Sequence, residues 1–338
     1  MIAIHPIPGS FSDNWISYCE KNNIPYKIVN CYSSDIIFEL KDCKALMWNW
    51  ALNDFKAQLF ARQLTESAEL MGIVVFPNSN TCWHYDDKLG QKYLLEGIHA
   101  QIVPTYVFYD IKEAINWSEN TVYPKVFKLR GGAGSHNVRL VSNISEAKYL
   151  IRKAFNSGFR SRSRYTMFKE RIWRYKRDRN LKSMIYIFKG IWRIFIPAIS
   201  DRKLPREKNY VYFQDFIPNN NYDIRVIVIG TRAFAIKRMV RKNDFRASGS
   251  GIIIHDKNQI PIDCLRISFD LTHKLQAQCL AYDYVFEGDS PLLTEISYDF
   301  VKERYTSCPG YWDNDLNWHE GMFKPEWFMI EDLLEKIE

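Results

Sequence analysis

Residues 281–297 read Ala281-Tyr282-Asp283-Tyr284-Val285-Phe286-Glu287-Gly288-Asp289-Ser290-Pro291-Leu292-Leu293-Thr294-Glu295-Ile296-Ser297. Asp283 and Glu295 are acids in otherwise apolar, strand-like runs, the second spanning Pro291 to Ile296. A charge in such a run is costly unless it is paired or coordinated. Two readings follow. The acids make separate salt bridges, or adjacent antiparallel strands bring them together as a hard, oxygen-rich pocket suited to magnesium bridging nucleotide phosphates. Cations upstream bear on the choice. Arg225, Lys237 and Arg238 fall on a hairpin, Ile224 to Ile229 and Ala233 to Val240, turning at Gly230-Thr231. Arg246 stands in Asp244-Phe245-Arg246-Ala247-Ser248-Gly249-Ser250-Gly251.

Further out, Tyr210 to Ile217 reads as another strand, and a helix is expected from Thr272 to Leu280. The glycine-rich run Arg130-Gly131-Gly132-Ala133-Gly134-Ser135-His136-Asn137 joins the strands Lys125–Leu129 and Val138–Val141. It is no Walker A motif, and the strand that follows it excludes the dinucleotide fingerprint, which opens a helix. What remains is a loop whose backbone N–H groups can lie over phosphates, with Lys128 beside it and Lys125 read as a second candidate or a solvated side chain. The first eighty-odd residues alternate strand (Ile2–Ile7, Tyr26–Val29, Ala45–Trp48, Ile73–Phe76) with helix (Asp13–Asn22, Asp54–Met71), a βαβ pattern that implies a parallel sheet. A helix from Asp86 to about His99 comes next. The fold class expected is therefore mixed α/β and α+β.

The chain has 338 residues, 46% hydrophobic and 25% charged, with 15 Gly and 13 Pro, which excludes disorder and low complexity. Seven cysteines without a Cys-x-x-Cys pair argue against a disulfide framework or thiolate zinc site, and the seven scattered histidines lack a His-Glu-x-x-His. The net charge of +7 is concentrated: residues 160–208 hold 16 Lys or Arg against 4 Asp or Glu. That segment interleaves aromatics with cations, as an interfacial helix or an anionic-ligand surface does; the plainer reading is a solvated helical insertion with its aromatics packed inward. No nucleic-acid motif accompanies it, so no nucleic-acid partner is expected. The N-terminus carries no signal-peptide zones and the apolar run 185–199 is broken by Lys189 and Arg193, so a cytoplasmic protein, membrane-peripheral at most, is expected.

This order of elements resembles the ATP-grasp superfamily from Met1 to about Asp299, in the branch typified by ribosomal-protein glutamate ligases. Asp87-Lys88-Leu89-Gly90-Gln91-Lys92 is similar to the family's Asp-Lys helix start, and Tyr123-Pro124-Lys125-Val126-Phe127-Lys128 to its nucleotide-lysine strand before a glycine-rich lid. Tyr212-Phe213-Gln214-Asp215-Phe216-Ile217 resembles the adenine-reading hinge, Tyr222-Asp223-Ile224-Arg225 the Asp-Ile-Arg strand, and Phe245-Arg246-Ala247-Ser248 the Phe-Arg-x-Asn loop. The resemblance implies an N-terminal domain (1–85), a first ATP-grasp part with lid and basic insertion (86–212), and a C-terminal part with an aromatic tail (213–338).

It further implies ATP and Mg²⁺ as cofactors. ATP would be held by Lys88, Lys128, the lid glycines Gly131, Gly132 and Gly134, and Gln214, Asp215, Phe216 and Ile217, with Asp223 near the ribose. Asp283 and Glu295 fall on the metal-ligand positions, with Ser297 where the family has Asn and Asp299 as a substitute. Arg225, Arg238 and Arg246 become the candidates for phosphate and acyl-phosphate stabilisation. The implied activity is ligation of a carboxylate-bearing substrate to an amine or thiol co-substrate, with an acidic sugar or glycan of surface polysaccharide assembly as the speculative carboxylate. The alternatives are a phosphotransferase and a non-catalytic ATP-binding protein; a homodimer stays open. In the tail, Cys308, Asp313, His319 and Glu320 are weak substrate-site candidates against a packed extension.

Overall fold

A computed structural model describes residues 1–51, 54–131, 137–160, 164–196, 205–241 and 244–337. Among these residues the strands make three sheets and a two-stranded ribbon. The first sheet is parallel, in the order β2-β1-β3-β4: β1 Ile2–Ile4, β2 Tyr26–Ile28, β3 Ala45–Met47 and β4 Val74–Phe76. Helices α1 (Ser12–Lys21), α2 (Ile36–Glu39) and α3 (Ala57–Leu70) make the crossovers. β1 and β3 are buried at every position, which is why they read as continuous apolar runs rather than alternating ones. The turn cluster after β4 holds a one-turn helix, α4 (Ser79–Cys82), whose first turn is capped by the side chain of Asn78; α5 (Lys88–Gly97) follows.

The second sheet is antiparallel, β5-β10-β6-β7, built from β5 Thr105–Phe108, β6 Lys125–Lys128, β7 Arg139–Val141 and β10 Val211–Asp215. Helices α6 (Ile111–Asn120) and α7 (Ile144–Phe155) back it through a separate core that includes Phe127, Phe213, Ala114 and Ile151. Because β10 lies inside this sheet, the division expected at 212/213 cuts a strand, and the sheet ends at Asp215. Between its strands the chain leaves through a short ribbon, β8 (Phe159–Arg160) with β9 (Arg206–Glu207), that carries two basic helices, α8 (Arg164–Asp178) and α9 (Leu181–Phe195).

The third sheet runs β15-β14-β11-β12-β16-β17, with β13 (Ile253–Ile254) also on β12. Its long strands are β11 Tyr222–Ile229, β12 Arg232–Met239, β14 Cys279–Glu287 and β15 Ser290–Ser297. Alternate residues of β11 enter two different cores: Val226 and Val228 pack with Trp48 and Val75 of the first sheet's flank, Ile227 and Ile229 with Trp15 and with Met329 and Ile330 of the last helix, α11 (Pro325–Ile337). One element departs from expectation. The helix read at 272–280 is α10, Ile262–Leu275; Gln276 takes φ +50° as its left-handed cap, and Leu280 is already paired with Val228 in β14. The tail is the packed extension: β16 (Gly310–Asp313) and β17 (Trp318–Glu320) extend the third sheet from β12. All seven cysteines are buried and unpaired.

Candidate functional site

The register of the third sheet aligns three chains of charge. Arg225 on β11 stands opposite Asp283 on β14, and Asp283 opposite Glu295 on β15, so the three side chains share one face. A bulge makes this possible: Thr294 is the extra residue, its hydroxyl donating to the Asp283 carbonyl at 3.0 Å. Arg225 grips Asp283 bidentately, Nε to Oδ1 at 2.5 Å and NH2 to Oδ2 at 2.6 Å. Arg238 on β12, opposite Asp223 on β11, holds that carboxylate in the same way at 2.6 Å for both bonds and reaches Asp283 Oδ1 at 3.0 Å. Burial opposes the Asp283 charge, but Arg225 and Arg238 outweigh it and hold the carboxyl well below the usual carboxylate range.

The facing wall comes from α5 and the second sheet. Asp87 caps α5, its Oδ1 accepting from Gly90 N at 3.0 Å, which sets Lys88 at the first helical position. From there the Lys88 ammonium reaches Glu295 Oε1 at 2.9 Å. Burial disfavours that ammonium, yet Glu295 and Asp86 outweigh burial and its pKa is raised. Lys128 on β6 is different: its Nζ donates to Gln214 Oε1 at 2.6 Å and forms no ion pair among the described residues. Burial, the largest effect, with Lys88 adding to it, pulls Lys128 down to about 8. Between the two walls lies a cavity of about 650 Å³.

Lys88, Lys128, Gly131, Gln214, Asp215, Phe216, Ile217, Asp223, Arg225, Arg246, Asp283, Glu295 and Ser297 all line that cavity. At Gly131 a Cβ would stand 2.9 Å from Asp86 Oδ2, so a larger residue there would have to push that carboxylate aside. Gly132 and Gly134 lie outside the described residues. Arg238 is the exception: it is 2% exposed and does not itself line the cavity, its guanidinium being held against Asp223 and Asp283 on the same face of the sheet. Lys125 is not solvated; it is buried against Asp215 at 2.5 Å with its ammonium over the Tyr106 ring. Cys308, Asp313, His319 and Glu320 are absent from the lining, with His319 bonded to Asp313 at 2.8 Å on the sheet edge.

Solved structures share this arrangement of sheets. A RimK-domain ATP-grasp protein of Sphaerobacter thermophilus aligns with a TM-score of 0.54 at 15% identity, over 88% of this chain and 92% of its own. D-alanine–D-alanine ligase of Bacillus anthracis, solved with ATP, aligns at 0.57 and 11%, over 99% and 96%. The chain has the ATP-grasp fold. Biotin carboxylase of Campylobacter jejuni shares it too, at 0.58 and 11%, over 97% of this chain and 69% of its own. No family model matches the sequence, and no curated protein matches it.

Within this ATP-grasp fold the cavity also has lining that sequence reading did not find. Arg62 on α3 donates to the carbonyls of Trp83 and Tyr85 at 2.8 and 2.7 Å and lies over the Trp50 ring; nothing distinguishes it in sequence from a surface arginine of an amphipathic helix. Asp86 reaches the cavity from a turn and Arg304 from a short 3-10 helix, Lys302–Arg304. Asp299, read only as a stand-in for Ser297, accepts from Tyr85 at 2.9 Å, and the Ser297 hydroxyl donates to the Asp299 carbonyl at 3.0 Å.

Proposed function

We propose that this chain is an ATP- and magnesium-dependent ligase that joins a carboxylate to an amine or thiol through an acyl phosphate. The observation that carries the reading is the cross-strand alignment of Arg225, Asp283 and Glu295 in the cavity facing Lys88 and Lys128. ATP would lie with its adenine against Gln214, Asp215, Phe216 and Ile217, its ribose toward Asp223, and its phosphates toward Lys88, Lys128 and the lid glycines Gly131, Gly132 and Gly134. The working units are 1–85, 86–215 and 216–338.

The donor set fits magnesium. Among the described residues Glu295 has one oxygen engaged, Oε1, and Ser297 keeps its lone pairs because its hydroxyl donates. No three acidic, His or Cys side chains cluster among the described residues, in keeping with a cation held by one or two carboxylates and completed by substrate phosphates. Asp283 is already bound by two arginines, so Glu295 would carry the larger share, with Ser297 and Asp283 beside it. When bound, the ion supplies charge neutralisation of the transferring phosphoryl group.

The chain's own groups then have definite tasks. Lys88 and Lys128 draw the phosphates into line, so that a substrate carboxylate attacks the γ-phosphorus, the bond to the bridging β,γ-oxygen breaks and ADP leaves. The amine attacks the acyl carbon, phosphate departs and the amine loses a proton. Arg225 and Arg246 are proposed for the developing negative charge, Arg246 being held to Asp244 at 2.8 and 2.9 Å on the cavity wall.

An acidic sugar or glycan is the proposed carboxylate; Arg62, Arg225, Arg246 and Arg304 in the lining suit an anionic substrate of any kind, so the acceptor screen decides among carboxylates. Titration calorimetry with a non-hydrolysable ATP analogue, with and without magnesium, tests the site. Magnesium-dependent binding lost in Glu295→Ala is expected; no binding to folded wild type would end the proposal. ADP release stimulated by uronic acids with an amine, giving an amide, is expected next. A stable phosphorylated product in its place would make the protein a phosphotransferase, and binding without turnover a sensor.

A further inference from the structure

The basic helices α8 and α9 fold back on each other, and Gly190 marks their closest approach: it is buried, and a Cβ there would meet Phe168 Cδ2 and Arg171 Cδ at 3.0 Å. Arg171 adds a bond from NH1 to the Tyr186 carbonyl at 3.1 Å. The opposite face of α9 is apolar and uncovered. Leu181, Ile185, Phe188 and Trp192 are 71%, 46%, 63% and 63% exposed, and their spacing of four, three and four residues puts them in one stripe. Lys189, one position after Phe188, is an exposed cation beside the stripe, and the hairpin as a whole is basic in sequence. Residues 164–196 hold ten Lys or Arg against two Asp or Glu.

Three occupants compete for this face. A soluble acidic polymer would satisfy the cations and leave Phe188 and Trp192 in water. A second copy would cover the stripe but bring two strongly basic hairpins together. An anionic bilayer takes both features at once: the stripe enters the boundary of headgroups and acyl chains while Lys189 and the hairpin's net positive charge meet lipid phosphates. Spanning is excluded by length, because the 15 residues of α9 cover about 22 Å against a hydrocarbon core of about 30 Å. No helix among the described residues is long and apolar enough to cross a membrane.

We propose that the hairpin 164–196 docks the protein on an anionic lipid surface, with α9 lying in the plane of the interface. The nucleotide site is close by: Met167 of α8 lines the cavity, and Trp173 lies under the guanidinium of Arg241, 4.1 Å from its ring centroid. Docking stands apart from the reading of that site, so either can fail alone.

The test is co-sedimentation of the full chain with vesicles of phosphatidylcholine and of phosphatidylcholine mixed with phosphatidylglycerol. Binding to the mixed vesicles is expected to exceed binding to neutral ones by about tenfold or more and to weaken with salt. Phe188→Glu with Trp192→Glu should abolish it while circular dichroism stays unchanged, and Lys189→Glu should weaken it. Wild type that ignores both vesicles, or a double variant that binds as wild type does, would overturn the proposal. So would a wild-type dimer that the double variant converts to monomer without vesicle binding, or binding confined to soluble acidic polysaccharide.

Discussion

Lys128 is a buried ammonium whose nearest recorded partner is an amide oxygen, and burial has brought it down to about 8. Polyphosphate beside it would hold its proton. Nucleotide binding above about pH 8 should therefore take up a proton, and affinity should fall as pH climbs through that value. Calorimetry in buffers of different ionisation enthalpy reads the uptake, and Lys128→Met should remove it. His84 gives a stability signal of the reverse kind. Burial lowers it from 6.5 to about 4, so between those values the unfolded chain binds the extra proton and stability falls as pH drops, by roughly 3 kcal/mol at most. Urea unfolding at pH 7 and near pH 4 should show the loss in wild type and a smaller one in His84→Gln. Arg238 anchors two carboxylates. Arg238→Met should cost about 3–5 kcal/mol, and adding Asp223→Leu should recover part of it, because the damage is an unpaired buried charge. At this scale Asp283 and Glu295 were legible, since an acid in an apolar run demands a partner. The burial of Arg238 was not: alternation puts it on the face of Asp223 and Arg225 but does not show that the carboxylates of Asp223 and Asp283 close over it.

At the scale of elements, periodicity worked where one face is buried and failed where a boundary depends on one residue's backbone. The βαβ start and the β11–β12 hairpin were readable from apolar patterning. Helix α10 was misplaced at both ends: it starts after Pro261 with no capping side chain, and it stops at Gln276 in the left-handed region, which no glycine announces. Gln276→Gly should relieve that strain and raise stability by a few tenths to about 1 kcal/mol, measured by denaturant midpoint. The bulge at Thr294 was equally invisible, yet it puts Glu295 on the face of Asp283. The exposed apolar face of α9 was also missed in detail, since mixed aromatics and cations fit inward or outward packing alike.

For the whole molecule, the second sheet keeps its own core while the first and third sheets share two. The helical hairpin leaves that second unit through the β8–β9 ribbon, closed by Phe159 opposite Glu207 and Arg160 opposite Arg206. Replacing residues 161–204 by a short turn should therefore leave a folded protein that binds the ATP analogue within about threefold of wild type, with vesicle binding lost. The buried thiols partition in the same way. Cys31, Cys43, Cys82 and Cys264 sit in one of the shared cores, Cys19, Cys279 and Cys308 in the other, and none in the core of the second sheet. Alkylation kinetics would thus clock the opening of the body while staying blind to movement of the second sheet, so the native cysteines report loss of the body's fold and not breathing of the cleft.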